Sequence, residues 1–121
     1  MKQILIVEDQ AEIRELVRIS LEFEDYDIHE AENGVVGWDL LRTLQPDLIL
    51  MDLMMPGGID GLELCRRVRA DARLRRTKII MLTALGTGAD RSAGLAAGAN
   101  AYLAKPFSPL ELMKTIGSIL S

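Results

Sequence analysis

The chain carries one cysteine, one histidine and no long apolar run, and each shortage narrows what it can be. A lone Cys65 rules out an internal disulfide framework and suits a reducing compartment. A lone His29, set in a strand-like stretch away from the acidic motifs, is a poor metal ligand or phosphorelay donor. The first apolar stretch, Ile4-Leu5-Ile6-Val7, runs at once into Glu8-Asp9. It is too short for a membrane span or a signal-peptide core, so a cytoplasmic location and no membrane partner are expected. Positive charge is in deficit, with 14 Lys and Arg against 18 Asp and Glu and a formal charge of −4. That balance gives no electrostatic reason for direct nucleic-acid binding. Internal repeats, low-complexity tracts and linkers are also missing. What remains is 49% hydrophobic and 26% charged, the composition of a globular protein. Residues 1–121 are expected to form one domain, long enough to bury a core without staples.

Along the chain, strand and helix signals alternate. Ile4 to Val7 reads as a strand covered on both faces, and Ile13, Leu16, Val17 and Leu21 follow at the spacing of one helical face. A weaker strand from Asp27 to Ala31 leads through the turn signal Asn33-Gly34 to a helix ending near Leu44. Pro46 precedes the strand Leu48-Ile49-Leu50-Met51, and a Gly-rich loop at 56–61 precedes a helix carrying Leu62, Cys65 and Val68. Ile79 to Leu82 and Ala101 to Leu103 are the last two strands. Ser108-Pro109-Leu110-Glu111 is a capping box with proline at the first helical position. Five strands interleaved with five helices imply an α/β domain with a parallel sheet and right-handed crossovers.

Four motifs sit at the carboxyl ends of the apolar runs: Glu8-Asp9, Asp52, Thr83 and Lys105-Pro106. In a parallel sheet all four fall on one edge, where open α/β folds place their ligand sites. Each like-charge pair among the three carboxylates would cost about 4 kcal/mol at ~4 Å and an effective dielectric of ~20. The cluster must therefore hold protons or recruit a cation, and oxygen-only ligands suit a hard ion such as Mg²⁺. With Lys105 as cationic clamp and Thr83 as hydroxyl donor, this is a phosphoryl-transfer set with a carboxylate nucleophile.

These residues resemble the response-regulator receiver domain, the phosphoacceptor module of two-component signalling. The likeness rests on Ile-Leu-Ile-Val-Glu-Asp (4–9), Pro-Asp-Leu-Ile-Leu-Met-Asp-Leu-Met-Met-Pro-Gly (46–57), Met-Leu-Thr-Ala (81–84) and Gly-Ala-Asn-Ala-Tyr-Leu-Ala-Lys-Pro-Phe (98–107). It implies a flavodoxin-like, doubly wound five-stranded parallel sheet of order 2-1-3-4-5, flanked by five helices. By resemblance, Asp52 takes a phosphoryl group from a sensor histidine kinase or a histidine phosphotransfer protein. Asp9 and Asp52 would bind Mg²⁺ directly, with Mn²⁺ able to substitute. Glu8 would assist through water and the Met54 carbonyl would complete the protein ligands. Lys105 would contact the phosphoryl group, while Thr83 and Tyr102 would shift together and alter the surface of the fourth helix, fifth strand and fifth helix. An output domain or effector protein would read that surface. Lys105-Pro106 matches the family's cis peptide bond. A receiver of this kind is not an enzyme, beyond slow autodephosphorylation.

Two other functions fit parts of the pattern. An aspartyl-nucleophile phosphohydrolase of small phosphate esters would use Asp52 too, but needs an aspartate two residues on, where Met54 stands. A nucleotide- or flavin-binding module would want a glycine-rich loop after the first strand, where Glu8-Asp9-Gln10 would repel phosphate. Taken singly, Glu8-Asp9 is also a common helix-entry pair, Thr83 a strand end and Lys105 a surface lysine. Tyr102 reads equally as half-buried packing. Arg66, Arg67, Arg69, Arg73, Arg75 and Arg76 read as a solvated face paired with acidic neighbours, Cys65 as a small core residue, and Trp38 as a partly exposed residue without a role.

Some positions depart from the family pattern. The loop at 56–61 is one residue longer than the commonest form. Asn100 and Ala101 replace the acidic pair that precedes the aromatic in winged-helix regulators, and no arginine follows Lys105, so dimerisation through that face is not expected. By the resemblance, the residues two past Asp52 and two past Thr83 would flank the approach to the phosphoacceptor; here they are Met54 and Leu85, which cannot orient water, whereas Ala84 would leave room for a phosphodonor, so a slowly hydrolysing phosphoryl group is expected. The helix between Gly88 and Gly98, with an internal Gly94 costing about 1 kcal/mol and little beyond Leu95 as anchor, is expected to be the most mobile.

Overall fold

The computed structural model describes residues 1–55, 58–84 and 88–120. Five strands form one parallel sheet: β1 (Lys2–Val7), β2 (Tyr26–Ala31), β3 (Leu48–Asp52), β4 (Lys78–Thr83) and β5 (Ala101–Ala104). Their spatial order is β2-β1-β3-β4-β5, as the resemblance implied. The helices are α1 (Ala11–Ser20), α2 (Gly34–Leu44), α3 (Gly61–Ala70), α4 (Gly88–Ala96) and α5 (Pro109–Leu120), with a 3₁₀ turn at Ala72–Leu74.

Because side chains alternate along a strand, the central strands feed two cores. Ile4, Ile6, Leu48, Leu50, Ile80 and Leu82 pack with Val17 of α1, with Leu21 just past its end, and with Leu112 and Ile116 of α5. Leu5, Val7, Ile49, Met51, Ile79 and Met81 pack with Leu41 of α2 and with Leu64, Cys65 and Val68 of α3. All five residues of β3 are buried, which explains its unbroken apolar run, whereas the edge strand β2 is only half-buried over most of its length.

Local signals set the helix starts. Asn33 accepts from the Val36 N–H at 2.9 Å and Asp60 from the Glu63 N–H at 2.9 Å. At α5 the capping box is reciprocal, with Glu111 N–H to Ser108 Oγ at 3.1 Å and Ser108 N–H to Glu111 Oε1 at 3.3 Å. Cys65 is a buried core residue whose thiol lies 3.3 Å from the Ala97 carbonyl. Trp38 is half-buried, with Arg42 and Arg67 each 5.6 Å from its ring centroid. Arg66 and Arg67 pair with Glu63, and Arg73 with Asp71, as a solvated face should, whereas Arg69 departs from that expectation: it is half-buried and donates to the Gly98 and Thr77 carbonyls.

Helix α4 differs from its expected anchoring. Leu95 is 46% exposed, while Gly94 is the residue of the helix that is buried among those whose side chains are described. A Cβ on Gly94 would lie 3.3 Å from Met81 Cγ, so this glycine lets α4 approach β4 closely as well as weakening the helix. Two expectations, the longer loop at Pro56-Gly57 and the role of Leu85, fall outside the described residues.

Candidate functional site

The four strand-end motifs do converge on one edge. Carboxylate oxygens of Glu8, Asp9 and Asp52 lie within 4.8 Å of one another. Asp52 ends β3 and Thr83 ends β4, while Glu8 and Asp9 follow β1 and Lys105 follows β5. A cavity of about 180 Å³ opens over them, lined by Asp9, Gln10, Asp52, Met54, Thr83, Ala84 and Lys105.

Its charges are arranged unevenly. Glu8 is completely buried and Asp52 is 7% exposed, whereas Asp9 is exposed. The Lys105 ammonium bridges the two buried carboxylates, touching Glu8 Oε1 and lying 3.2 Å from Asp52 Oδ2. The other Asp52 oxygen, Oδ1, accepts from the Met54 N–H at 3.2 Å, and the other Glu8 oxygen accepts from the Gln10 N–H at 3.1 Å. Burial pushes the Glu8 carboxyl up to about 7, with Asp9 and Asp52 adding to the shift and Lys105 and the Gln10 N–H opposing it. Burial works against the Lys105 charge, but Glu8 and Asp52 outweigh it and hold the ammonium above its ordinary range. One lysine facing three carboxylates leaves net negative charge in a mostly dry site. That imbalance suits a hard divalent cation, since every available side-chain donor is oxygen.

The backbone around Asp52 is tightly fitted. A Cβ on Gly61 would fall 2.1 Å from the Asp52 carbonyl oxygen, and the Gly61 N–H donates to the Leu53 carbonyl at 3.1 Å. Only glycine lets the start of α3 approach the end of β3 this closely. Thr83 is 1% exposed, and its carbonyl accepts the Lys105 N–H at 2.7 Å, which ties the lysine loop to β4. The Lys105-Pro106 bond is cis. Met54, 64% exposed, stands at the mouth of the cavity. Tyr102 is half-buried against the α3-side core, with the Arg91 guanidinium 6.0 Å from its ring centroid. His29 lies beside Asp27 on β2 and is not among the residues that line this cavity.

Sequence reasoning overlooked Gln10, Arg14 and Gly61. Arg14 Nη1 donates to the Glu8 carbonyl at 2.6 Å. Nothing in the local pattern marks it, since an arginine on an amphipathic helix usually faces water. Gly61, next to Asp60, looks like ordinary turn chemistry until the approach to Asp52 is seen. A larger groove of about 530 Å³ past Trp38, Arg67 and Asp71 shares no residue with the acidic cluster.

Comparison with known proteins gives a consistent result. The model of the response regulator receiver domain matches residues 4–117. The transcriptional regulatory protein ResD of Bacillus subtilis is 48% identical over 118 residues, covering 98% of this chain and 48% of ResD. The DNA-binding dual master transcriptional regulator RpaA of Synechocystis is 42% identical over 120 residues, covering 99% of this chain and 49% of RpaA. The chain thus spans about half the length of these relatives. The crystallised chemotaxis response regulator CheY4 of Vibrio cholerae superposes with a TM-score of 0.92 at 32% identity, covering 99% of each chain.

Proposed function

The chain belongs to the response regulator receiver domain family, and on that premise we propose that Asp52 is its phosphoacceptor, served by Lys105, Thr83, Asp9 and Glu8. Receiver domains of two-component response regulators are signalling modules rather than enzymes. The observation that carries the assignment is the setting of Asp52. Its carboxylate lines the cavity, with one oxygen near a lysine and the other on a backbone N–H.

Such a carboxylate is oriented as a nucleophile. One Asp52 oxygen bonds the incoming phosphorus as the phosphorus–nitrogen bond of a partner's phosphohistidine breaks. Lys105, already between Glu8 and Asp52, is placed to follow the negative charge onto the phosphoryl oxygens. Thr83 offers its hydroxyl from the neighbouring strand end. Asp9, Asp52, the Met54 carbonyl and, through water, Glu8 would hold Mg²⁺ or Mn²⁺. When bound, the ion supplies charge neutralisation for the phosphoryl oxygens. Lys105 alone cannot balance the cluster. Thr83 and Tyr102 are assigned the switching role, with the surface of α4, β5 and α5 as its readout.

Residues 1–121 are read as one receiver domain. A sensor histidine kinase or phosphotransfer protein is the phosphoryl donor, an output domain or effector reads the switched surface, and the cytoplasm is the location. No helix among the described residues is long and apolar enough to cross a membrane. No finding favours the phosphohydrolase reading, and Met54 contributes an N–H where a general acid would be required.

The test is incubation with Mg²⁺ and acetyl phosphate. One phosphoryl group per chain should accumulate, and Asp52→Asn should remove it. Stoichiometric labelling that survives in Asp52→Asn would overturn the assignment.

A further inference from the structure

Arg14 is a helical arginine whose side chain is only 18% exposed, and it turns back toward the acidic edge. Its Nη1 donates to the Glu8 carbonyl at 2.6 Å, and its Nε lies 3.4 Å from Glu30 Oε1 on β2. The other Glu30 oxygen is held by Arg18 Nη1 at 2.7 Å. Glu30 is thereby fixed by two guanidinium groups and in turn orients Arg14. Strand β1 ends at Val7, so the Glu8 carbonyl lies beyond the strand, while the Glu8 N–H is satisfied by the Ala31 carbonyl at 3.0 Å. The carbonyl that Arg14 holds belongs to the peptide unit joining Glu8 to Asp9. The plane of that peptide sets where both carboxylates point.

We propose that Arg14, oriented by Glu30, is a positioning residue that holds the Glu8–Asp9 peptide in the geometry required for divalent-cation binding. This rests on the reading of the acidic cluster given above. The Arg14 side chain reaches neither Asp52 nor Lys105; its backbone N–H donates to the Gln10 carbonyl at 3.2 Å as part of the helix start, and its guanidinium acts through the Glu8 carbonyl. Outer partners of this kind typically change metal affinity by 10–100-fold when removed.

Charge and geometry make opposite predictions here. If Arg14 acted only through its charge, removing a cation from beside an acidic cluster would tighten Mg²⁺ binding. If it positions the peptide, removal weakens binding.

The experiment is calorimetric titration of Mg²⁺ into the wild-type chain, Arg14→Met, Arg14→Lys, Glu30→Gln and Asp9→Asn, with circular dichroism and thermal midpoints as fold controls. Arg14→Met should lose about tenfold in affinity. Glu30→Gln should lose less, and Arg14→Lys should recover part of the loss, because an ammonium can reach one acceptor but not fork between two. Losses in Arg14→Met and Glu30→Gln should combine less than additively, since both act through one contact. Unchanged or tighter binding in a folded Arg14→Met overturns the proposal. Should that variant fail to fold, unchanged binding in folded Glu30→Gln and Arg14→Lys overturns it equally. Failure of the underlying reading shows separately: the wild type would then not bind Mg²⁺, or Asp9→Asn would bind it as well as the wild type.

Discussion

Strand β3 has an aspartate at each end of its run, and the two are used in opposite ways. Asp47, just before the strand, accepts the Gln3 N–H on Oδ2 at 2.7 Å, and its backbone groups bond Gln3 and Lys78. It closes the amino edge of the sheet. Its neighbours do the same: the Thr77 hydroxyl donates to the Pro46 carbonyl at 2.8 Å, and Asn100 Oδ1 accepts both the Ile79 N–H and Arg69, each at 2.8 Å. Arg69 also donates to the carbonyls of Gly98, Thr77 and Arg75. Asp52, at the other end, has a lysine shared with Glu8, and the cluster around it stays net negative. Polar groups that complete backbone hydrogen bonding are scaffold. Those that leave an electrostatic demand unmet are the site.

That contrast can be broken by substitution, and the largest effect should come from Asp52→Asn. Phosphoryl labelling should vanish, while cation-free thermal stability holds or rises, because a like charge leaves the cluster. A large loss of stability would place Asp52 with the scaffold instead.

At the amino edge the reverse is expected. Arg69→Ala should cost roughly 2–3 kcal/mol by stranding several carbonyls, and Asp47→Ala roughly 2 kcal/mol. Both should still accept one phosphoryl group at Asp52. Denaturant unfolding beside a labelling assay checks this; a labelling defect in either variant at temperatures where it is folded would dissolve the distinction between the edges.

The edges should also differ with pH. The folded Glu8 carboxyl sits at about 7 against 4.5 in the unfolded chain. A raised carboxyl contributes stability fully present below about 4.5 and lost as pH rises through about 7. In chelator, the thermal midpoint should therefore decline across that window more than it does in Glu8→Gln. Mg²⁺ should offset the decline by favouring the ionised form. Equal slopes in wild type and Glu8→Gln would refute the burial argument.

The smallest expected effect concerns Met54, exposed at the cavity mouth and unable to orient water. The wild-type phosphoryl group should last minutes or longer with Mg²⁺ and no partner. Met54→Asn should hasten its decay roughly fivefold, about 1 kcal/mol of barrier. Decay within seconds in the wild type, or an unchanged rate in the variant, would show that this side chain does not govern water access.

Much of this was legible in the linear chain. Unbroken apolar runs report strands buried on both faces, Ser108 and Glu111 announce α5, and strand-end positions alone place Glu8, Asp9, Asp52, Thr83 and Lys105 on one edge. The same reading misjudged Leu95, because periodicity cannot show that α4 lies so close to β4 that a glycine makes the contact. It passed over Arg14 and Gly61, whose importance lies in backbone atoms they approach rather than in their own chemistry.

What the sequence determined by itself is the alternation of elements, the order of motifs and the family. These follow from local rules, namely side-chain periodicity, caps and turn residues, acting over a few positions. Only the tertiary structure decided that Lys105 bridges Glu8, 97 residues away, and Asp52, that Asp47 serves the backbone while Asp52 faces a cavity, and that Arg14 reaches back to the Glu8 carbonyl. The physical reason is that a charge's cost and its use depend on burial and on partners. Both are set by parts of the chain that meet only after folding.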